Sequence, residues 1–156
     1  MSLKEELQKE QVRHLDLSRH CIVESGTPVR ETLARMRAEQ GRTALVVRGD
    51  ELVGIFTERD VLRRVMVDPA TLNRPVDQVM TATPITVAPD KSAAEALWLM
   101  DDHHFRNLPV VDDQGHIVGD MTYAAIIHYL AARYPVEVLN RPLRPEQYAD
   151  EAEGGD

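Results

Sequence analysis

Among its 156 residues the chain has one cysteine, one tryptophan and two phenylalanines, and aromatic residues of all kinds make up only 4%. The lone thiol, Cys21, excludes an intrachain disulfide and a cysteine-based zinc site. Long apolar runs are missing too. Nothing approaches the roughly 18 to 20 uninterrupted apolar residues of a membrane helix, and the start, Met1 to Glu6, lacks the apolar stretch of a secretory signal. A cytoplasmic address without a membrane partner is therefore expected. Positive charge is in the minority, with 18 Lys and Arg against 26 Asp and Glu and a formal net charge of −8. A nucleic-acid partner would meet an unfavourable overall field, and none is expected. What the chain does hold is aliphatic material: 43% of its residues are hydrophobic, enough for one compact core or two very small ones sharing an interface.

The chain also repeats itself, a pattern that decides the architecture before any strand is assigned. Val23 to Val47 lies over Val87 to Val111, with Leu33 on Leu97, Met36 on Met100 and Arg42 on Arg106, a spacing of 64 residues. Val53-Gly54-Ile55-Phe56-Thr57 lies over Val118-Gly119-Asp120-Met121-Thr122 at a spacing of 65. The extra residue falls between Arg48–Glu51 and Asp112–His116, surface turns of the kind that tolerate insertion.

Both copies carry the same order of local signals. A short apolar strand (Cys21–Val23; Ile85–Val87) runs into an amphipathic helix whose inward positions are Val29, Leu33, Met36 and Ala93, Leu97, Met100. Thr27-Pro28 reads as an N-cap followed by a first-turn proline, and Ser92 with Glu95 as a capping box. Two brief strands joined by a tight turn follow, Ala44–Val47 with Leu52–Phe56 and Leu108–Val111 with Ile117–Met121. A closing helix starts at Thr57 in one copy, with Val61, Leu62 and Val65, and at Thr122 in the other, with Ile126, Ile127 and Leu130. The fold class is α+β, two β-α-β-β-α repeats related by a pseudo-two-fold axis. Each is too small to bury its apolar surface alone, so the two are expected to pack as one module. The division is residues 1–19, a helical N-terminal segment with a Ser2/Glu5 capping box; 20–67, repeat 1; 68–75, a linker holding two prolines; 76–133, repeat 2; and 134–156, a Pro-containing acidic tail.

The stretch richest in chemistry is Gly54-Ile55-Phe56-Thr57-Glu58-Arg59-Asp60-Val61-Leu62-Arg63, where a strand ends in a helix. Two readings stand side by side. In one, Thr57 caps the helix and Asp60, three residues on, completes a capping box. In the other, free N–H groups at the turn and the Thr57 hydroxyl hold phosphate while the Asp60 carboxylate accepts from a ribose diol.

The chain resembles the CBS (cystathionine-β-synthase) domain family as a tandem CBS pair, or Bateman module, over about residues 20 to 133. The resemblance rests on the Gly-apolar-apolar-Thr-x-x-Asp segment Gly54–Asp60, on Val79-Met80-Thr81 followed by Thr83-Pro84-Ile85-Thr86-Val87, and on His104-Phe105-Arg106-Asn107-Leu108-Pro109-Val110-Val111-Asp112. It implies a regulatory or sensing module and not an enzyme. Such a module needs no cofactor and takes an adenosine-containing ligand (AMP, ADP, ATP or S-adenosylmethionine) in the cleft between repeats, signalling to a separate partner. Carried over, Thr57 and Asp60 match the phosphate- and ribose-binding positions, Thr83, Pro84 and Ile85 the adenine segment, and His104 and Arg106 the basic positions near the phosphate. Arg59 and Arg63 add positive charge that a phosphate needs in an acidic chain. In the second copy Ala125 stands at the ribose carboxylate position, so one competent ribose site per chain is expected. The resemblance further implies a homodimer formed through the helices. The alternative is a ligand-free dimerisation or adaptor protein that uses the same fold.

Other clusters carry less. His103, His104 and His116 have no ligand spacing for a metal, and adjacent histidines on a helix point about 100° apart, so no metal site is expected. Ser25, Ser92 and Cys21 lack a nucleophile elbow, leaving no catalytic residue. Met36, Met66, Met80 and Met100 read as core fillers and Trp98 as part of a packing surface.

Overall fold

The computed structural model describes residues 2–133; the expected acidic tail, 134–156, lies outside the described residues. Elements follow in the order α1 (Leu3–Lys9), β1 (Cys21–Glu24), α2 (Val29–Ala38), β2 (Thr43–Arg48), β3 (Glu51–Thr57), α3 (Glu58–Asp60, continuing as a π-helical turn Val61–Val65), β4 (Thr81–Ala82), α4 (Ala93–His103), β5 (Asn107–Val111), β6 (Ile117–Thr122) and α5 (Tyr123–Arg133). Sheet 1 has the order β1-β2-β3-β4, with β1 parallel to β2 and the other pairs antiparallel. Sheet 2 is the β5–β6 hairpin. Both hairpins carry a register shift at matching places, between Val46 and Val47 and between Val110 and Val111. The expected strand Ile85–Val87 shrinks to a single parallel bridge, Val87 with Val110. Pro109 on β5 has no N–H to give to the strand beside it, which cuts the ladder short.

Strand alternation gives each sheet one face toward its own helices. Cys21, Val23, Ala44, Val46 and Phe56 pack with Val29 and Met36, while Leu108, Val110 and Met121 pack with Ala93, Ala96, Met100, Ala125 and Ile126. The inward helix positions are Val29, Thr32, Met36 and Ala93, Ala96, Met100; Leu33 and Leu97, expected inside, are only half-buried. The small Thr32 and Ala96 let the helices lie close on the sheets, and the Thr32 hydroxyl donates to the Pro28 carbonyl at 3.1 Å. Thr27 does not cap α2; its hydroxyl donates instead to the Glu24 carbonyl at 2.7 Å. Met66 is not a core filler, being 67% exposed, and Trp98 is 72% exposed. Burial pushes the Cys21 thiol up to about 11, so it is protonated at neutral pH and poorly reactive.

The segments ahead of each repeat interlock the module. The Val76 N–H donates to the Thr27 carbonyl (2.8 Å) and the Val29 N–H to the Arg74 carbonyl (2.9 Å). Sixty-four residues away in register, the Val12 N–H donates to the Lys91 carbonyl (2.8 Å) and the Ala93 N–H to the Glu10 carbonyl (2.7 Å). Val12, Leu15 and Leu17, ahead of the first copy, are buried in the core of the second, and Val76 and Val79, at the start of the second, in the core of the first. The helix expected over Ser2–Arg19 consequently stops at Lys9, because Val12 is drawn into this pairing. Its Ser2/Glu5 capping box forms as expected. Residues 68–75 are likewise structured, with a 3-10 turn at Pro69–Asn73 that buries Thr71. Asp77 then accepts from the Ser25 hydroxyl and, at 2.7 Å, from the Gly26 N–H, tying the β1–α2 turn to the start of the second copy.

Candidate functional site

β3 ends at Thr57 and α3 begins at once, so the chain turns sharply with three acceptor or donor groups in one place. The Asp60 N–H donates to Thr57 Oγ1 (3.4 Å), and Asp60 Oδ2 accepts from the Thr57 N–H (3.0 Å) and hydroxyl (3.2 Å). This is a complete capping box. It holds the Asp60 carboxylate, 6% exposed, in a fixed orientation. Oδ1 is 4.0 Å from Arg64 Nε, and a carboxylate with about four lone-pair sites retains acceptor capacity after these contacts.

Arg64 was not singled out from sequence, yet it also donates to the carbonyls of Val79 (3.0 Å) and Met80 (2.8 Å), joining α3 to the start of the second copy. The available signal was the i, i+4 spacing from Asp60. Arg63 beside it is exposed; the π-helical turn from Val61 brings Arg64 round to the carboxylate.

The second copy contributes the other wall. β4 pairs with β3 through Ala82–Gly54 and Thr81–Ile55, and the Thr83 N–H donates to the Val53 carbonyl (3.2 Å). Thr83-Pro84-Ile85 therefore leaves directly from the edge of the strand that carries Thr57. Thr83 has φ +50, an uncommon conformation for a β-branched residue, and Ile85 is 39% exposed. Across the gap, Arg59 Nη2 donates to the His104 carbonyl (3.0 Å), and His104 itself ends α4 in the left-handed conformation at φ +57. The structure thus brings Thr57 with Asp60, and Arg59 with His104, into contact. Arg106 is exposed two residues beyond His104, and among the described residues its side chain makes no hydrogen bond to the other candidates.

The second copy's own turn differs. Thr122 Oγ1 accepts from the Ala125 N–H (3.1 Å), but Ala125 is buried and offers no acceptor. Ala124 and His128 stand where Arg59 and Arg63 stand in the first copy. Arg19, the counterpart of Thr83, makes a 2.9 Å contact with His128, so this cleft is already bridged by side chains. Among the described residues no three His, Cys, Asp or Glu are grouped to hold a metal ion, and no helix is long and apolar enough to cross a membrane.

The family pattern of the CBS domain matches twice, over residues 12–67 and 76–132. The chain belongs to the CBS domain family. The two matches, in one chain and one fold, make it a tandem CBS pair. It is 33% identical over 119 residues to the uncharacterized protein MJ1404 of Methanocaldococcus jannaschii, covering 76% of this chain and 28% of that one. The chain spans about a quarter of the length of the curated relatives it matches first. An uncharacterized conserved protein from Pyrococcus horikoshii superposes with a TM-score of 0.71 at 25% identity, covering 88% of this chain and 97% of that one. The CBS domain pair of protein MJ0100, solved in complex with 5′-methylthioadenosine and S-adenosyl-L-methionine, superposes with a TM-score of 0.70 at 20% identity, covering 80% and 98%.

Proposed function

We propose that this CBS pair is a regulatory module that binds an adenosine-containing molecule in the cleft between its repeats and passes the bound state to a separate partner. The observation that carries this reading is Asp60: a buried carboxylate, held by Thr57 at the end of β3, beside a segment from the other repeat. In this reading Asp60 accepts from the ribose diol, and Thr83, Pro84 and Ile85 flank the adenine. Thr57 meets the first phosphate or its equivalent, and Arg59, Arg63, His104 and Arg106 supply positive charge around it. The complex of the MJ0100 pair with two adenosine derivatives supports this class of ligand. The role is binding, without a catalytic residue. Signalling requires that the ligand favour one packing of the repeats over another, and the Arg59–His104 contact across the cleft is the first it would disturb.

A specific observation favours the rival, a ligand-free adaptor: Thr57 and Asp60 satisfy each other in a capping box, a sufficient structural role for both. Thermal melts separate the two. AMP, ATP or S-adenosylmethionine at about 100 times its dissociation constant stabilises the sensor by about 2.7 kcal/mol, whereas no shift with any of the three leaves the adaptor.

Either role is proposed for a homodimer. Leu62, Met66 and Val67 after α3 and Ile127 on α5 are 62% to 77% exposed, and an apolar groove of about 420 Å³ between α2 and α3 adjoins Leu62. Exposed aliphatic side chains in this number on the helix faces fit a protein–protein contact. Light scattering should give twice the chain mass of 17.6 kDa; 17.6 kDa alone contradicts the dimer.

A further inference from the structure

The first helix of each copy turns Val29, Thr32 and Met36, or Ala93, Ala96 and Met100, toward its sheet, and the opposite faces of the two helices differ in character. On α2 that face carries Arg30, Leu33, Ala34 and Arg37 at the spacing i, i+3, i+4, i+7. The matching positions on α4 are Ala94, Leu97, Trp98 and Asp101. Arg30 and Arg37 are exposed on α2. α4 holds no Lys or Arg, and its last turn exposes Asp101 and Asp102 beside Trp98, which is itself 72% exposed.

The copies differ in relief as well. In the first, the groove of about 420 Å³ between α2 and α3 is lined by Leu33, Met36, Arg37, Gly41, Val61 and Leu62. The second copy has Phe105 where Gly41 stands and Tyr123 where Glu58 stands, and Phe105 packs against its own core. One copy therefore offers an apolar recess with a cation in its wall. The other offers an exposed indole with two carboxylates one turn further on.

We propose that two chains pair antiparallel, the first copy of each against the second copy of the other, with the partner's Trp98 in the groove between α2 and α3 and the partner's Asp101 against Arg37. The contact rests on the homodimeric reading and adds which face meets which. In a closed two-fold pair it is made twice. A tryptophan in an apolar recess is a frequent energetic anchor of an interface, and opposite charges beside it fix the direction of pairing. Like copy on like copy sets Asp101 and Asp102 against the partner's Asp101 and the partner's Asp102, and Arg37 against the partner's Arg37, with both grooves unfilled.

The test is a charge-swap series on the full chain, with the dimer dissociation constant read by light scattering over a dilution series. Arg37→Glu alone and Asp101→Arg alone should each raise it at least about tenfold, because each sets like charges together. The double variant restores opposite charges at both contacts and should recover most of the loss. Trp98→Ala should raise it about 30-fold or more. All three side chains are exposed, so folding of the single chain does not depend on them. The lone tryptophan gives a second readout: its emission in the wild type should move to shorter wavelength as the dimer forms. A dimer that all three charge variants leave equally strong, or in which Trp98 emission stays that of an exposed indole, overturns the antiparallel contact and leaves the homodimer standing. A mass of 17.6 kDa at every concentration removes the homodimer and this contact with it.

Discussion

Gly119→Ala should cost about 3 kcal/mol or more of folding stability, while the matching change in the other repeat, Gly54→Ala, costs about 1 kcal/mol. Both glycines lie where the segment ahead of the opposite copy crosses a sheet. A Cβ on Gly119 would lie 2.5 Å from the Leu17 carbonyl oxygen and also overlap the Leu17 Cβ. Neither can move alone, because the same carbonyl accepts from the Asp120 N–H and Leu17 is anchored in the second core. A Cβ on Gly54 would instead meet the Met80 thioether, whose flexible side chain can swing aside. Denaturant midpoints of the two variants measure the difference. Equal midpoints, or a Gly54 variant weaker than the Gly119 one, would show that the interlock is not where stability resides.

The second large effect is on binding. Asp60→Ala should weaken the adenosine ligand by roughly 10- to 150-fold, as expected for losing a charge-assisted hydrogen-bond acceptor worth about 1.5–3 kcal/mol. The same variant loses half of a capping box, at a cost of about 1 kcal/mol in stability. Asp60→Asn separates the two effects. Its side-chain oxygen can still accept from the Thr57 N–H, so it keeps most of the cap, while its neutral amide is a poor acceptor for a diol. An asparagine variant that is stable and binds weakly assigns Asp60 to the ligand; one that binds like wild type assigns it to the helix cap alone.

The repeat was readable because its marks are apolar side chains and arginines at constant spacing, and side-chain type is what a pleated strand or an amphipathic helix selects. The Thr57–Asp60 turn was readable for the same reason, since its cap and its proposed chemistry use the same two residues. The interlock was not read, although Val12 with Val76 and Leu15 with Val79 keep the spacing of 64. Those residues begin or cap short 3-10 turns, which show neither a helix period nor a strand alternation, and their partners belong to the other copy. Arg64 keeps the i, i+4 spacing from Asp60, but its bonds to the Val79 and Met80 carbonyls reach the other copy and leave no mark on the local pattern. Asp120 stands in sequence where Ile55 stands in the first copy, and its full burial is seen only in the structure.

Calorimetric titration of the wild type and of Asp60→Ala with AMP, ATP and S-adenosylmethionine tests the central claim most directly. The account predicts saturable binding of at least one of them to the wild type, at one site per chain because Ala125 replaces the second acceptor, and its loss in the folded variant. No heat with any of the three, or unchanged binding in Asp60→Ala, would contradict it.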